Sequence, residues 1–183
     1  SAVKVTSFTD GMFANVKDEV EVVILPMYVT EIPDNAFAGC TNLKTVIAYG
    51  VTQIGDNAFA GCTSLEKFYV DNAIVSLGDN AFEGVKDVAI TAYDSSVADA
   101  AVKCGAERIT LNISYIKDSF DNKTVDVPES ANYFALIGNG STYNNVTVKS
   151  AAKETMISNM VFANNKGTPI ELTSAKGILA RTE

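Results

Sequence analysis

The chain has no histidine and no tryptophan among its 183 residues, and only three cysteines and four prolines. Without an imidazole, Ser-His-Asp and Cys-His nucleophile systems are excluded, as are most catalytic zinc sites. Without an indole, one common sugar-stacking side chain is missing. The cysteines form no Cys-x-x-Cys pair, so the usual thiolate metal signature is absent. No apolar run reaches the roughly 18 residues of a membrane helix. Positive charge is in deficit: 14 Lys and Arg stand against 22 Asp and Glu, a net charge of −8. Neither nucleic acid nor an anionic membrane surface is therefore expected as a partner. The chain opens on neither a basic n-region nor a Met, so any signal peptide is expected to have been removed.

What is present is a globular composition, 47% apolar and 20% charged, long enough for a core in one or two domains. The charge is unevenly spread. Residues 1–110 hold 7 Lys/Arg and 15 Asp/Glu, so 7 − 15 = −8, whereas residues 111–183 hold 7 of each. That shift, and a change of sequence style, place a domain boundary near 110.

The first part is repetitive. Segments 32–43, 54–65 and 77–88 read IPDNAFAGCTNL, IGDNAFAGCTSL and LGDNAFEGVKDV, and 8–16, FTDGMFANV, is a degenerate upstream copy. Phe13, Phe37, Phe59 and Phe82 follow one another at 24, 22 and 23 residues. A period of this size is the mark of stacked repeats, since one unit cannot bury its apolar side alone. Within a copy, Asp-Asn predicts a capped helical start, Phe an interior ladder, and Gly39, Gly61 and Gly84 a left-handed close. Extended stretches are expected at 46–48, 68–70 and 88–90. A second apolar pair completes each unit: Val29 with Ile32, Val51 with Ile54, Ile74 with Leu77.

The pattern Ile-x-Asp-x-Ala-Phe-x-Gly-Cys-x-x-Leu resembles the BspA-like leucine-rich repeat family of bacterial surface proteins, over residues 8 to about 108. The family's Leu-Pro is matched at Leu25-Pro26, with Tyr49 and Asp71 at the proline's place in later copies. The resemblance implies a repeat solenoid with a parallel sheet on its concave face, secreted or displayed at the cell surface, and adhesion to proteins. Residues 90–105 resemble the closing unit of such arrays: Val97, Ala98, Ala101 and Cys104 form one apolar helical face, stopped at Gly105. Val3 and Val5 alternate like the strand of a preceding unit, so the array is expected to begin further upstream. The expected domains are a solenoid with its capping helix, 1–110, and a small all-β domain, 111–183.

In that second part strands are expected at 110–115, 123–127, 133–137, 145–149, 158–162, 170–173 and 178–180. Two architectures fit, a β-sandwich or a parallel β-solenoid. The solenoid would stack Val125, Val146 and Ile170, and Ile137 on Met160. Residues 157–167 are similar to one coil of a pectate-lyase-type β-helix.

Four sets of residues could carry chemistry. Cys40 and Cys62 share a repeat position with Val16 and Val85, and Cys104 lies on the helix; buried small apolar residues are expected rather than a disulfide or metal site. Asp34, Asp56 and Asp79 form a row that suits capping better than calcium. Asp118 with Asp121, and Asp126 with Glu129, are the close acids of the second part, with nothing to hold them as a glycosidase pair. Gly138-Asn-Gly140 lacks a following Lys and reads as a turn. No catalytic residue, metal or cofactor is expected. The remaining surface is the concave strand face, where Ile24, Ile47, Tyr69 and Thr91 point outward, flanked by Thr45, Tyr49, Lys67 and Tyr93. Exposed apolar and aromatic groups on a preformed sheet suit a protein or peptide ligand. The alternative is a polysaccharide-binding β-rich domain, using Tyr133, Tyr143 and the Asn-rich loops, with the solenoid as a spacer.

Overall fold

A computed structural model describes residues 1–183 apart from 10–11, 117–119, 140–142, 159–160, 162–164, 167–169, 173–177 and 183. The chain divides into two compact units, one of residues 1–88 with 104–106, the other of 89–103 with 107–183.

In the first unit each copy contributes two short strands. β1 (Ala2–Lys4), β2 (Val22–Ile24), β4 (Thr45–Ile47) and β6 (Lys67–Tyr69) form one parallel sheet; β3 (Glu31–Ile32), β5 (Gln53–Ile54) and β7 (Ser76–Leu77) form another. Register follows the repeat: Val3, Val23, Val46 and Phe68 are partners in one rung after another, as are Ile32, Ile54 and Leu77. Val23, Val46, Ile32, Leu43 and the Cys40, Cys62 and Val85 column are fully buried.

The expected phenylalanine ladder is observed. Phe37 stacks on Phe59 at 5.2 Å and 12°, and Phe59 on Phe82 at 5.3 Å and 9°. Phe68 packs edge-on against both Phe59 and Phe82 at 5.4 Å. All three ladder rings are 0% exposed.

The Asp-Asn step differs from expectation, because it starts no helix. Asn35, Asn57 and Asn80 sit at φ 57°, 53° and 52°, the left-handed region Asn tolerates better than most side chains. The aspartates cap across coils rather than within one. Asp34 Oδ1 accepts from the Asp56 amide, and Asp56 Oδ1 from the Asp79 amide, each at 2.8 Å. The backbone bonds between turns run the other way: Asn35, Phe37 and Gly39 donate to the carbonyls of Asp56, Ala58 and Ala60 at 2.7–2.8 Å. Gly39, Gly61 and Gly84 close the turns at φ 76°, 77° and 76°, where a Cβ would strain the chain.

The second unit holds β8 (Val88–Thr91, beginning at the boundary), α1 (Ser95–Ala101), β9 (Arg108–Asn112), β10 (Thr124–Val127), β11 (Tyr133–Ile137), β12 (Tyr143–Asn144), β13 (Thr147–Ser150), β14 (Glu154–Ser158), β15 (Asn165–Lys166), β16 (Ile170–Leu172) and β17 (Ile178–Thr182). The registered pairs β9–β11–β14–β17, β10–β13–β16 and β12–β15 are all parallel. That pattern is a parallel β-solenoid and corrects the sandwich alternative, whose hairpins would pair antiparallel. The stacked column is Val125, Val148 and Ile170, not Val125, Val146 and Ile170. A strand not expected from the sequence lies at Glu154–Ser158, where Thr155 and Ile157 turn inward opposite Phe134 and Leu136; most of the strand expected at 158–162, Met160 and most of the proposed 157–167 coil fall outside the described residues.

The same turn chemistry persists in this unit. Asn122 and Asn145 have φ 56° and 52°. Asp121 Oδ1 accepts from the Asn144 amide at 3.0 Å, and the Asn122 amide donates to the Asn144 carbonyl at 2.7 Å. α1 buries Val97, Ala98 and Ala101 as expected but ends at Val102, short of Gly105. Its cap is Asp94, whose carboxylate accepts from the Val97 amide at 3.0 Å and the Ser96 hydroxyl at 2.7 Å.

Two outcomes follow from this packing. Phe59→Ala, removing the middle ring, should cost about 3–5 kcal/mol, read as a large fall in thermal midpoint. Asp94→Ala should cost about 1 kcal/mol. The Val97 amide bond, then the Ser96 hydroxyl, lower the Asp94 pKa from its ordinary 3.8. The cap therefore stabilises fully above that value and fades as pH falls through the lower folded value. Thermal midpoints of wild type and Asp94→Ala should converge below pH 3.8 and separate above it.

Candidate interaction face

The β1–β2–β4–β6 sheet alternates side chains to its two faces. One set, with Val23 and Val46, enters the core. The other forms two outward columns: Ala2, Val22, Thr45 and Lys67; then Lys4, Ile24, Ile47 and Tyr69. Ile24 is 38% exposed and Tyr69 43%, while Thr45 and Ile47 are half-buried and Lys67 exposed. Tyr49, two residues beyond β4, is 38% exposed, and its carbonyl accepts from Asn72 Nδ2 at 2.9 Å. Six of the eight expected site residues thus lie on or beside this one sheet. Thr91 and Tyr93 belong to the second unit, where Thr91 ends β8 half-buried and Tyr93 is 40% exposed before the Asp94 cap.

Two residues were overlooked in the sequence. Met27 and Tyr28 are 65% and 69% exposed, the most open large apolar side chains of the first unit. Their signal is local: Leu25-Pro26 is followed by two bulky residues, and the position of Met27 is taken by Gly50 and Asn72 in later copies. Gly50 lies directly against the Met27 backbone, so that a Cβ there would collide with the Met27 carbonyl. The Met27–Tyr28 turn is seated on a glycine, and its side chains are turned to solvent.

Charge at this sheet is modest. Glu21 bridges the N-terminal ammonium at 2.8 Å and Lys44 at 3.2 Å. These contacts hold the Glu21 carboxyl below its ordinary pKa, the ammonium hydrogen bond most; such exposed pairs add little stability.

The other candidate groups have structural duties. Cys40, Cys62 and Cys104 are free and buried. Cys62 Sγ donates to the Phe37 carbonyl at 3.1 Å. Burial drives the Cys62 pKa up to about 12 and that of Cys104 up to about 11, and raises Cys40. Among the described residues no cluster of three His, Cys, Asp or Glu is arranged for a metal. Asp121 is engaged by Asn144, Asp126 and Glu129 are exposed, and Asp118 and Gly140 lie outside the described residues. Of the tyrosines assigned to glycan stacking, Tyr143 is 4% exposed and one face of Tyr133 is covered by the Arg108 guanidinium at 3.9 Å.

Residues 6–125 match the BspA type leucine-rich repeat region in six copies. The chain belongs to the BspA-type leucine-rich repeat family. The matched stretch runs past the copies visible by eye at 8–108 and takes in the Asp121-Asn122 turn described above. No curated protein and no solved structure gives a match. BspA-type repeats suggest a surface repeat protein, and the family is typically a non-enzymatic repeat module. No described helix is long and apolar enough to cross a membrane.

With such raised pKa values, on the order of one Cys62 or Cys104 thiol in a thousand or fewer is ionised at pH 8. The native chain should therefore resist maleimide at these two sites, whereas the urea-unfolded chain labels at all three; mass spectrometry of tryptic peptides reads the difference.

Proposed function

We propose that this BspA-type repeat is a non-enzymatic binding module, secreted or held at the bacterial cell surface, that adheres to protein ligands through the outward face of the β1–β2–β4–β6 sheet. The observation that carries this reading is the apolar strip Ile24, Ile47 and Tyr69, held in register on adjacent strands and bordered by the exposed Met27, Tyr28 and Tyr49. A rigid aromatic and aliphatic surface loses little conformational entropy on docking, so burying it yields net affinity. Thr45 and Lys67 supply the polar rim; Thr91 and Tyr93, in the second unit, are further candidate ligand contacts. No step of this function needs a proton relay, a metal or a cofactor.

The test is surface plasmon resonance of the full chain against a panel of host matrix proteins and bacterial surface proteins. For any ligand bound, the double variant Tyr69→Ala, Ile47→Asp should weaken affinity about 30-fold or more with thermal midpoint unchanged. Met27→Ala with Tyr28→Ala should weaken it less. Undiminished binding by the first double variant would refute this assignment of the face.

A further inference from the structure

Three cysteines and four methionines carry the sulfur of this chain. Thiols are ordinarily oxidised first, by way of the thiolate, and their rate follows access and ionisation. In this fold both are withheld. Cys40, Cys62 and Cys104 are free and 0% exposed, and burial raises the pKa of each. The reactive sulfur of the native chain must then be a thioether, which needs access but no ionisation.

The methionines differ in access. Met156 is half-buried on β14 and Met12 is 38% exposed; Met160 lies outside the described residues. Met27 is 65% exposed, and the coil keeps it so. Its backbone closes directly on Gly50 of the next coil, and the Val29 amide donates to the Pro26 carbonyl across the turn at 2.9 Å. On either side Leu25 and Val29 are buried and fill the interior, so no room remains for Met27 to withdraw into the core. Its thioether stands beside the exposed Tyr28, at the border of the Ile24, Ile47 and Tyr69 strip.

We propose that Met27 is an oxidative modification site, converted by hydrogen peroxide to the sulfoxide ahead of every buried thiol, and that this change turns the border of the sheet face polar without unfolding the coil. A lone pair on Met27 Sδ attacks one peroxide oxygen. An S–O bond forms as the O–O bond breaks, and the departing hydroxide takes the proton left on the transferred oxygen. One thioether is oxidised by two electrons, and one peroxide is reduced to water. The product carries a strong hydrogen-bond acceptor where an apolar group stood. A partner that covers Met27 must then desolvate that oxygen, while the core, which Met27 does not enter, is unchanged. A methionine sulfoxide reductase supplied with a thiol reductant reverses the step. The effect on ligand binding rests on the function proposed above for the sheet face; the choice of sulfur does not.

The experiment exposes the full native chain to limiting hydrogen peroxide at neutral pH and maps the products by mass spectrometry of tryptic peptides. Met27 should gain oxygen about twofold faster than Met12 or more, and about tenfold faster than Met156, with all three thiols still free for alkylation after unfolding. The chain oxidised at Met27 alone should elute earlier from a phenyl hydrophobic-interaction resin, with thermal midpoint unchanged. Met27→Gln, polar without oxidation, should also elute early, and Met27→Leu should keep its retention through the same treatment. Methionine sulfoxide reductases with dithiothreitol should restore the retention of the oxidised wild type. Equal or faster oxidation of Met12 or Met156, earlier loss of any thiol, or unchanged retention of the Met27 sulfoxide overturns the proposal, and none of these readings needs a ligand. For any ligand bound by the sheet face, the sulfoxide should weaken affinity about fivefold. A ligand lost on Tyr69→Ala with Ile47→Asp but held undiminished by the sulfoxide overturns the proposal and leaves the face standing.

Discussion

Every feature of the first unit depends on one contact, the face-to-face stacking of Phe37, Phe59 and Phe82 at 5.2–5.3 Å. Phe59 is covered on its two sides by the rings of the neighbouring coils, Phe37 and Phe82, so a coil on its own would leave its ring uncovered. The spacing of the rings is close to that of hydrogen-bonded strands, and strands, turns and rings therefore share one repeat distance. This commensurability lets the Asp34 and Asp56 carboxylates reach the next coil's amide at 2.8 Å each. It also keeps Ile24, Ile47 and Tyr69 in register on the outer face of the sheet.

The division of labour within a coil follows from polarity. The buried positions carry Val, Ile, Leu, Phe and thiols that burial keeps protonated. The backbone groups of the turns, which would be costly to bury unpaired, are satisfied by the following turn. Surface positions are then free to vary, and the apolar residues found there have no duty in the core. In the first turn the internal turn bonds are kept, while among the described residues the amides of Phe13 and Asn15 make no bond to the next coil.

Much of this was legible in the residues. Three near-identical copies disclose the period, the ladder, the glycine closes and the small buried cysteine column, because each coil solves the same packing problem with the same side chains. The second unit was less legible. Its copies keep Asp121-Asn122 and Asn144-Asn145 but lose Ala-Phe-x-Gly-Cys, so only the backbone requirement for a left-handed residue survives in the sequence. Strand positions slipped there, as at Thr147–Ser150 against the expected 145–149, because a run of β-branched residues does not say which rung it joins. Met27 and Tyr28 escaped notice because nothing in their types separates a solvent-facing pair from a core pair.

The sequence by itself determined the repeat unit, the residues that fill its interior and the lack of imidazole chemistry, since these follow from periodicity and composition alone. Only the tertiary structure decided that the aspartates cap the next coil rather than their own, that the second unit is parallel, and that among the described residues the Phe13 and Asn15 amides make no bond to the next coil. Each of these depends on which groups lie opposite one another between coils about 22 residues apart, a relation that local propensity does not encode.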